Sequence, residues 1–104
     1  MTKPKFDFLY TVVAGVKHAV NAGSIDLDAL RLDDPITLHR EPKNPADSNA
    51  VRLDHNGCKL GYIQATQAAW LAGLLDHGYE LTARVAMVDG AAVTIVLELP
   101  SLRA

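Results

Sequence analysis

Leu38-His39-Arg40-Glu41-Pro42-Lys43-Asn44-Pro45-Ala46-Asp47-Ser48-Asn49-Ala50-Val51 is the stretch on which the fold turns. Its first half continues Ile36-Thr37, and Ile36 to Arg40 alternates apolar with polar residues, the period-two signal of a half-buried strand. Glu41 to Asn49 then gathers Pro42, Pro45, Asn44, Asn49 and Asp47. Fixed proline φ angles and side-chain-to-backbone hydrogen bonds make such a segment a structured loop. Beyond it, Ala50 to Asp54 and Cys58 to Ile63 flank His55-Asn56-Gly57. Asn-Gly between two strand-like runs is the strongest short-range hairpin signal.

Working outward from this centre, Phe6 to Val16 is rich in β-branched and aromatic residues and reads as a first strand, with Gly15 marking a bend or a close backbone approach. Asn21 to Asp34 carries Gly23, Ser24 and the aspartates Asp26, Asp28, Asp33 and Asp34 around Ile25, Leu27, Leu30 and Leu32. It is a long connection pinned by a few apolar contacts, with a short helix over Leu27 to Leu30, and Pro35 ends it. On the other side, Trp70, Leu71, Leu74 and Leu75 form one apolar stripe, with Thr66 to cap the start and Gly78 to end it. This predicts one clear helix over residues 66–77, with Trp70 on its core face. Tyr79 to Val88 and Ala92 to Leu99 are two further strands around an Asp89-Gly90 turn. The fold class is therefore α+β and mostly β: a small, partly open barrel of about six strands with one clear helix and a second short one.

Composition sets the bounds. A chain of 104 residues, 49% hydrophobic and 21% charged, is one globular domain, residues 1–104 with a core over about 6–99. Cys58 is the single cysteine, and Met1 to Lys5 carries no apolar leader stretch, so the expected setting is intracellular, cytoplasmic, without disulfides. No apolar run approaches the roughly 20 residues of a membrane helix. Ten Lys and Arg against twelve Asp and Glu give a net charge of −2. That balance argues against a protein that coats nucleic acid by bulk charge, so any nucleic-acid site must be local.

The run from Leu38 to Val51, followed after a hairpin by Lys59-Leu60-Gly61-Tyr62-Ile63 and a helix, resembles the HIRAN family. The resemblance includes Val13-Ala14-Gly15-Val16 and Leu75-Asp76-His77-Gly78 and spans about residues 8–98. Its motif R-E-P-x-N-P-x-D-x-N-A-V is far more specific than a glycine pattern. The resemblance implies a small OB-like or SH3-like barrel, found fused to helicases of DNA repair and fork remodelling or as short stand-alone proteins. In the fused members the module captures single-stranded DNA with a free 3′ end, while ATP hydrolysis and zinc-bearing domains lie elsewhere. This chain has no Walker segment and no paired C-x-x-C, so no cofactor and no catalytic activity of its own are expected.

The resemblance also implies a DNA-end pocket built from an Arg-Tyr pair on the first strand, a Tyr-Asp pair in the N-P-x-D loop, and a Lys after the G-[YH] strand. Here Thr11 and Val12 stand at the first pair, Ala46 precedes the retained Asp47, and Ala65 lies near the lysine position. Lost aromatic platforms remove about 1 to 3 kcal/mol of stacking per base, and lost cations remove phosphate neutralisation.

The residues offer two readings at each position. Asn44, Asp47 and Asn49 can hydrogen-bond a terminal sugar or base, or close the loop on its own backbone. Arg40 with Glu41 is a phosphate-binding arginine steadied by its neighbour, or a loop salt bridge. Tyr62 offers a ring for stacking or packs the core rim, and Tyr10 is a weaker case of the same kind. Lys17, His18, His39, Arg40, Lys43 and Lys59 are the candidate cationic surface. His39, Asp47, His55 and Cys58 give only half of a metal site. Two functions follow as expectations. The first is a nucleic-acid-binding module for single-stranded DNA or DNA ends, acting through Lys17, His18, His39, Arg40, Lys43, Asp47, Lys59 and Tyr62. The second is an assembly module, whose open barrel edge or acidic Asp26 to Asp34 loop recruits a separately encoded helicase or nuclease.

Overall fold

The computed structural model describes residues 6–100; the Met1 to Lys5 segment lies outside them. Strands β1 (Phe6–Val12), β2 (Pro35–Arg40), β3 (Val51–His55), β4 (Cys58–Tyr62), β5 (Thr82–Asp89) and β6 (Ala92–Pro100) form one antiparallel sheet in the order β1-β6-β5-β2-β3-β4. Helix α1 (Val16–Asn21) follows β1, a single 3₁₀ turn covers Leu27–Ala29, and helix α2 (Ala65–Asp76) separates β4 from β5. The mostly-β barrel-like expectation holds, and the barrel is not closed.

β2 is the joint that rolls the sheet. Pro35 and Ile36 pair with Arg84 and Ala83 of β5, whereas Thr37 to Arg40 pair with β3. The two outer strands then meet at one point: Ala14 and Tyr62 exchange backbone hydrogen bonds of 2.9 Å in each direction. Gly61 makes this meeting possible. A Cβ there would lie 2.7 Å from Cγ1 of Val13 and closer still to the carbonyl oxygen of Ala14. Inside the roll, Val51, Leu53, Leu60, Val85, Ile95 and Leu97 are fully buried; this apolar burial is the main driving force for the fold.

The β3–β4 hairpin turns at Asn56 (φ 50°) and Gly57 (φ 80°), the paired positive φ that Asn-Gly supplies for a tight turn matching strand twist. The first expected strand is shorter than its composition suggested. Gly15, at φ 80° and ψ 12°, reverses the chain, and Val16 and Ala19 bury one side of α1 against β4. The connection that follows is ordered by its own aspartates: Asp26 Oδ1 accepts from the Asp28 N–H, and Asp34 Oδ2 accepts from the Arg31 N–H and pairs with Nε2 of buried His55 at 2.8 Å.

Helix α2 begins at Ala65, where the Gln64 carbonyl accepts from Gln67 and Ala68, and no side chain caps it, contrary to the expected role of Thr66. Its buried face is Ala68, Leu71, Ala72 and Leu74. Two alanines let the helix seat closely, and this rotates the stripe past Trp70, which is 49% exposed and not a core residue.

Candidate functional site

The loop between β2 and β3 is organised by Asn44. Its Oδ1 accepts from the backbone N–H of Ala46 (2.9 Å) and Asp47 (3.3 Å), and its Nδ2 donates to Glu41 Oε1 (2.9 Å). Asp47 Oδ1 accepts from the Asn49 N–H at 2.8 Å, and the Ala50 N–H closes the turn on the Asp47 carbonyl. Asn44 is therefore spent on the scaffold, while Asp47 commits one oxygen and leaves Oδ2 without a partner among the described residues.

Glu41 is the hub beneath this loop. Its Oε1 also accepts from the Tyr62 hydroxyl at 2.8 Å, and its Oε2 meets Arg52 Nη1 at 3.2 Å. Arg52 forks onto both Asp54 oxygens (3.0 and 3.1 Å), and Asp54 Oδ2 lies 3.2 Å from His39 Nε2. The Asn44 amide, the Tyr62 hydroxyl and the nearby Arg52 charge hold the Glu41 carboxyl below its ordinary value. It stays ionised and fixes the Tyr62 ring through its hydroxyl. The ammonium of Lys59 sits 4.6 Å from the centre of that ring, a cation–π geometry.

These elements form a recess of about 260 Å³ lined by Ala14, Asn44, Ala46, Asp47, Ala50, Tyr62, Ile63 and Ala65. Small walls, one aromatic ring and one half-free carboxylate make it a shaped recess with an unused acceptor. Asp47 and Tyr62 are brought together here, with Lys59 on the ring. The other candidates do not converge. Arg40 is bound to Asp76 by two hydrogen bonds (2.9 and 3.2 Å) and to the Ala50 carbonyl (2.8 Å), not to its neighbour Glu41, and serves to tie α2 to the loop. His39 is exposed beside Asp54, Lys43 is exposed on the loop, and Lys17 and His18 are exposed on α1, just beyond Ala14.

The first-strand wall differs from expectation. Thr11 is buried with its hydroxyl on Gln67 Oε1 (2.7 Å), and neither it nor Val12 lines the cavity; Ala14 does. Sequence reasoning missed Ala14, Ala50, Ile63 and the hub role of Glu41. The one signal for the closure was the pair of glycines, Gly15 and Gly61, flanking it. Among the described residues no three His, Cys, Asp or Glu side chains are gathered to hold a metal; His55 is engaged by Asp34 and Cys58 is exposed.

The sequence model of the HIRAN domain matches residues 6–100. The helicase-like transcription factor of Oryctolagus cuniculus is 36% identical over 56 residues, which is 53% of this chain and 5% of that protein's length. The chain thus corresponds to a small fraction of that relative. Among solved structures, a Lactobacillus plantarum protein superposes with a TM-score of 0.75 at 26% identity, over 95% of this chain and 100% of that one. The HIRAN domain of human HLTF gives 0.73 at 21% identity, over 88% and 74% of the two chains. The same HLTF domain in its DNA-bound conformation gives 0.61 at 22% identity, over 89% and 72%.

Proposed function

The chain belongs to the HIRAN domain family, and from that premise we propose that it binds single-stranded DNA by a free 3′ end, with the cavity around Asp47 and Tyr62 as the end-binding site and no catalytic step of its own. The observation that carries the reading is the recess itself: it is built from the N-P-x-D loop, and the HLTF domain of the same fold has a DNA-bound conformation.

A terminal sugar enters between Ala14, Ala46 and Ala65, and its hydroxyl donates to the unused Asp47 Oδ2. A carboxylate accepts from a hydroxyl but repels a phosphate, so the site selects a 3′-hydroxyl over a 3′-phosphate. The last base lies on the Tyr62 ring, which the Glu41 bond holds in place before the ligand arrives. Lys43 on the loop and Lys17 and His18 on α1, exposed outside the recess, meet backbone phosphates further along the strand, with Lys59 alongside the ring. Arg40 and Arg52 hold the site together instead of touching DNA. Any ATP-driven or nucleolytic step in the DNA processing this implies is supplied by a partner protein.

The test is fluorescence-anisotropy titration with labelled single strands ending in a 3′-hydroxyl, a 3′-phosphate or a blocked 3′ end. Tightest binding of the 3′-hydroxyl strand, abolished by Asp47→Asn, is expected. Equal binding of all three would refute the end-binding reading, and no binding even at low salt would refute the nucleic-acid function.

A further inference from the structure

β1 has one side bonded to β6, and along most of its other side no strand pairs with it among the described residues. The Val13 N–H donates to the Val93 carbonyl at 2.8 Å, so in the alternating antiparallel ladder Leu9 and Thr11 turn their backbone groups toward β6. The N–H and C=O groups of Phe8, Tyr10, Val12 and Ala14 point the other way. Ala14 spends its pair on Tyr62, and the Val12 carbonyl accepts from Gln64 Nε2 at 3.0 Å. The remaining outward groups of Phe8, Tyr10 and Val12 have no partner among the described residues. The opposite edge of the sheet is covered: α1 packs along β4, and the Ser24 hydroxyl donates to the Lys59 carbonyl.

Within β1 itself the usual protection of an edge is missing. Between Phe6 and Val12 there is no proline, lysine or register shift, and Asp7 is the single charge. The side chains beside the open groups are apolar and exposed: Phe8 by 55%, Tyr10 by 65% and Val12 by 44%. Across the sheet, Phe8 stands opposite Glu98, a poor neighbour for a phosphate chain, so the edge favours a protein strand over nucleic acid.

We propose that this edge pairs with the same edge of a second copy, β1 antiparallel to β1, about a two-fold axis through Tyr10. The sequence is self-complementary in this register. Tyr10 lies opposite Tyr10 of the second copy, and Phe8 opposite its Val12, both favourable cross-strand pairs. All three pairs fall on hydrogen-bonding positions and use the outward groups of Phe8, Tyr10 and Val12, with the Val12 carbonyl shared with Gln64. The exposed side-chain area of the three residues is roughly 300 Å² per copy. Pairing buries part of this area together with the backbone, less than a permanent interface needs, so dimerisation is weak and concentration-dependent. In the dimer the two Ala14 residues lie about 27 Å apart along the strands. Provided the recess binds DNA ends, the dimer holds two ends at once.

The test is sedimentation equilibrium of the full chain without DNA. Rising concentration should move the average mass from that of one chain toward two, and Tyr10→Lys, an exposed change checked by circular dichroism, should hold it at one. The register is tested by disulfide trapping in a Cys58→Ser background. Tyr10→Cys should cross-link under mild oxidation, since opposed Cα atoms fall within disulfide reach, whereas Phe8→Cys should not. A monomer at every concentration, a dimer indifferent to Tyr10→Lys, or cross-linking through Phe8→Cys alone would overturn the proposal. So would a monomeric wild type whose DNA binding falls with Tyr10→Lys, which would assign the face to nucleic acid. None of these readings depends on the recess binding DNA.

Discussion

Replacing Gly61 with alanine attacks the single point where the rolled sheet meets itself. The added methyl would sit 2.7 Å from Val13 Cγ1 and inside contact distance of the Ala14 carbonyl, which is backbone and cannot rotate away. Relief requires parting β1 from β4. That strains a packed core by about 1 to 3 kcal/mol and gives up the two Ala14–Tyr62 hydrogen bonds at about 1 kcal/mol each. The expected loss is roughly 3 to 5 kcal/mol, a Tm decrease on the order of 10 to 25 °C for a domain of this size. Gly73→Ala is the matched control. It lies inside α2 with nothing within 4 Å of the new methyl, so it should raise stability by about 0.5 to 1 kcal/mol. Thermal and urea melts of the three proteins decide the matter. A Gly61→Ala protein melting within about 2 °C of wild type, or a Gly73→Ala protein equally damaged, would refute the steric account of the closure.

The recess makes further demands. Tyr62→Ala should weaken binding of a 3′-hydroxyl strand by the loss of one stacked base, about 1 to 3 kcal/mol or roughly 5- to 150-fold in Kd, while Tyr62→Phe keeps the ring and most of the affinity; equal losses would remove stacking from the mechanism. Glu41, whose carboxyl lies below its ordinary 4.5 in the fold, contributes stability in full above that value and loses it as pH falls through its lower folded value. Melts from pH 6 to pH 3 should therefore fall less steeply for Glu41→Gln than for wild type, and parallel curves would show that Glu41 is not a source of acid sensitivity. Restoring the bulk and charge that the family resemblance implies, by Ala46→Tyr with Ala65→Lys, should tighten 3′-end binding at least tenfold in the anisotropy titration. A double variant that folds but gains nothing would show that the recess is not the end site.

What could be read in the sequence was what local chemistry decides. The Asn-Gly turn, the period-two run from Ile36 to Arg40 and the Pro-Asn loop each carry their conformation within a few residues, and each formed as read. What escaped depended on contacts between distant segments. Val13 to Val16 has strand composition, yet the left-handed Gly15 and the burial of Val16 against β4 turn it into the entry of a helix. Trp70 belongs to the apolar stripe of α2 by spacing, but the seating of Ala68 and Ala72 rotates it outward. For the site the same division holds. Asp47 and Tyr62 were legible as residue types within a motif, whereas the alanine walls carry no chemical signature and become a recess only when β1 crosses β4 at Gly61. The Glu41 hub was hidden because its partners, Tyr62 and Arg52, are remote in sequence and adjacent only across β2, β3 and β4.

Each arginine among the described residues is engaged within the fold: Arg31 on the Asp28 and Leu30 carbonyls, Arg40 on Asp76, Arg52 on Asp54 and Glu41, Arg84 on Asp33. The candidate lysines left for phosphates are Lys17 and Lys43, both exposed, and Lys59, already on the Tyr62 ring. Two or three phosphate contacts on a single strand imply a salt slope of about −1.4 to −2.1, so affinity should fall only about seven- to twentyfold between 50 and 200 mM salt. Strand-coating proteins with six or more contacts lose far more over the same range. Anisotropy titrations across that salt series give the slope directly. A slope steeper than about −4 would require cations beyond these lysines and would shift the binding surface away from the recess, whereas a shallow slope that steepens when the 3′ end is blocked would show that shape at Asp47 and Tyr62, not charge, supplies the affinity for the end.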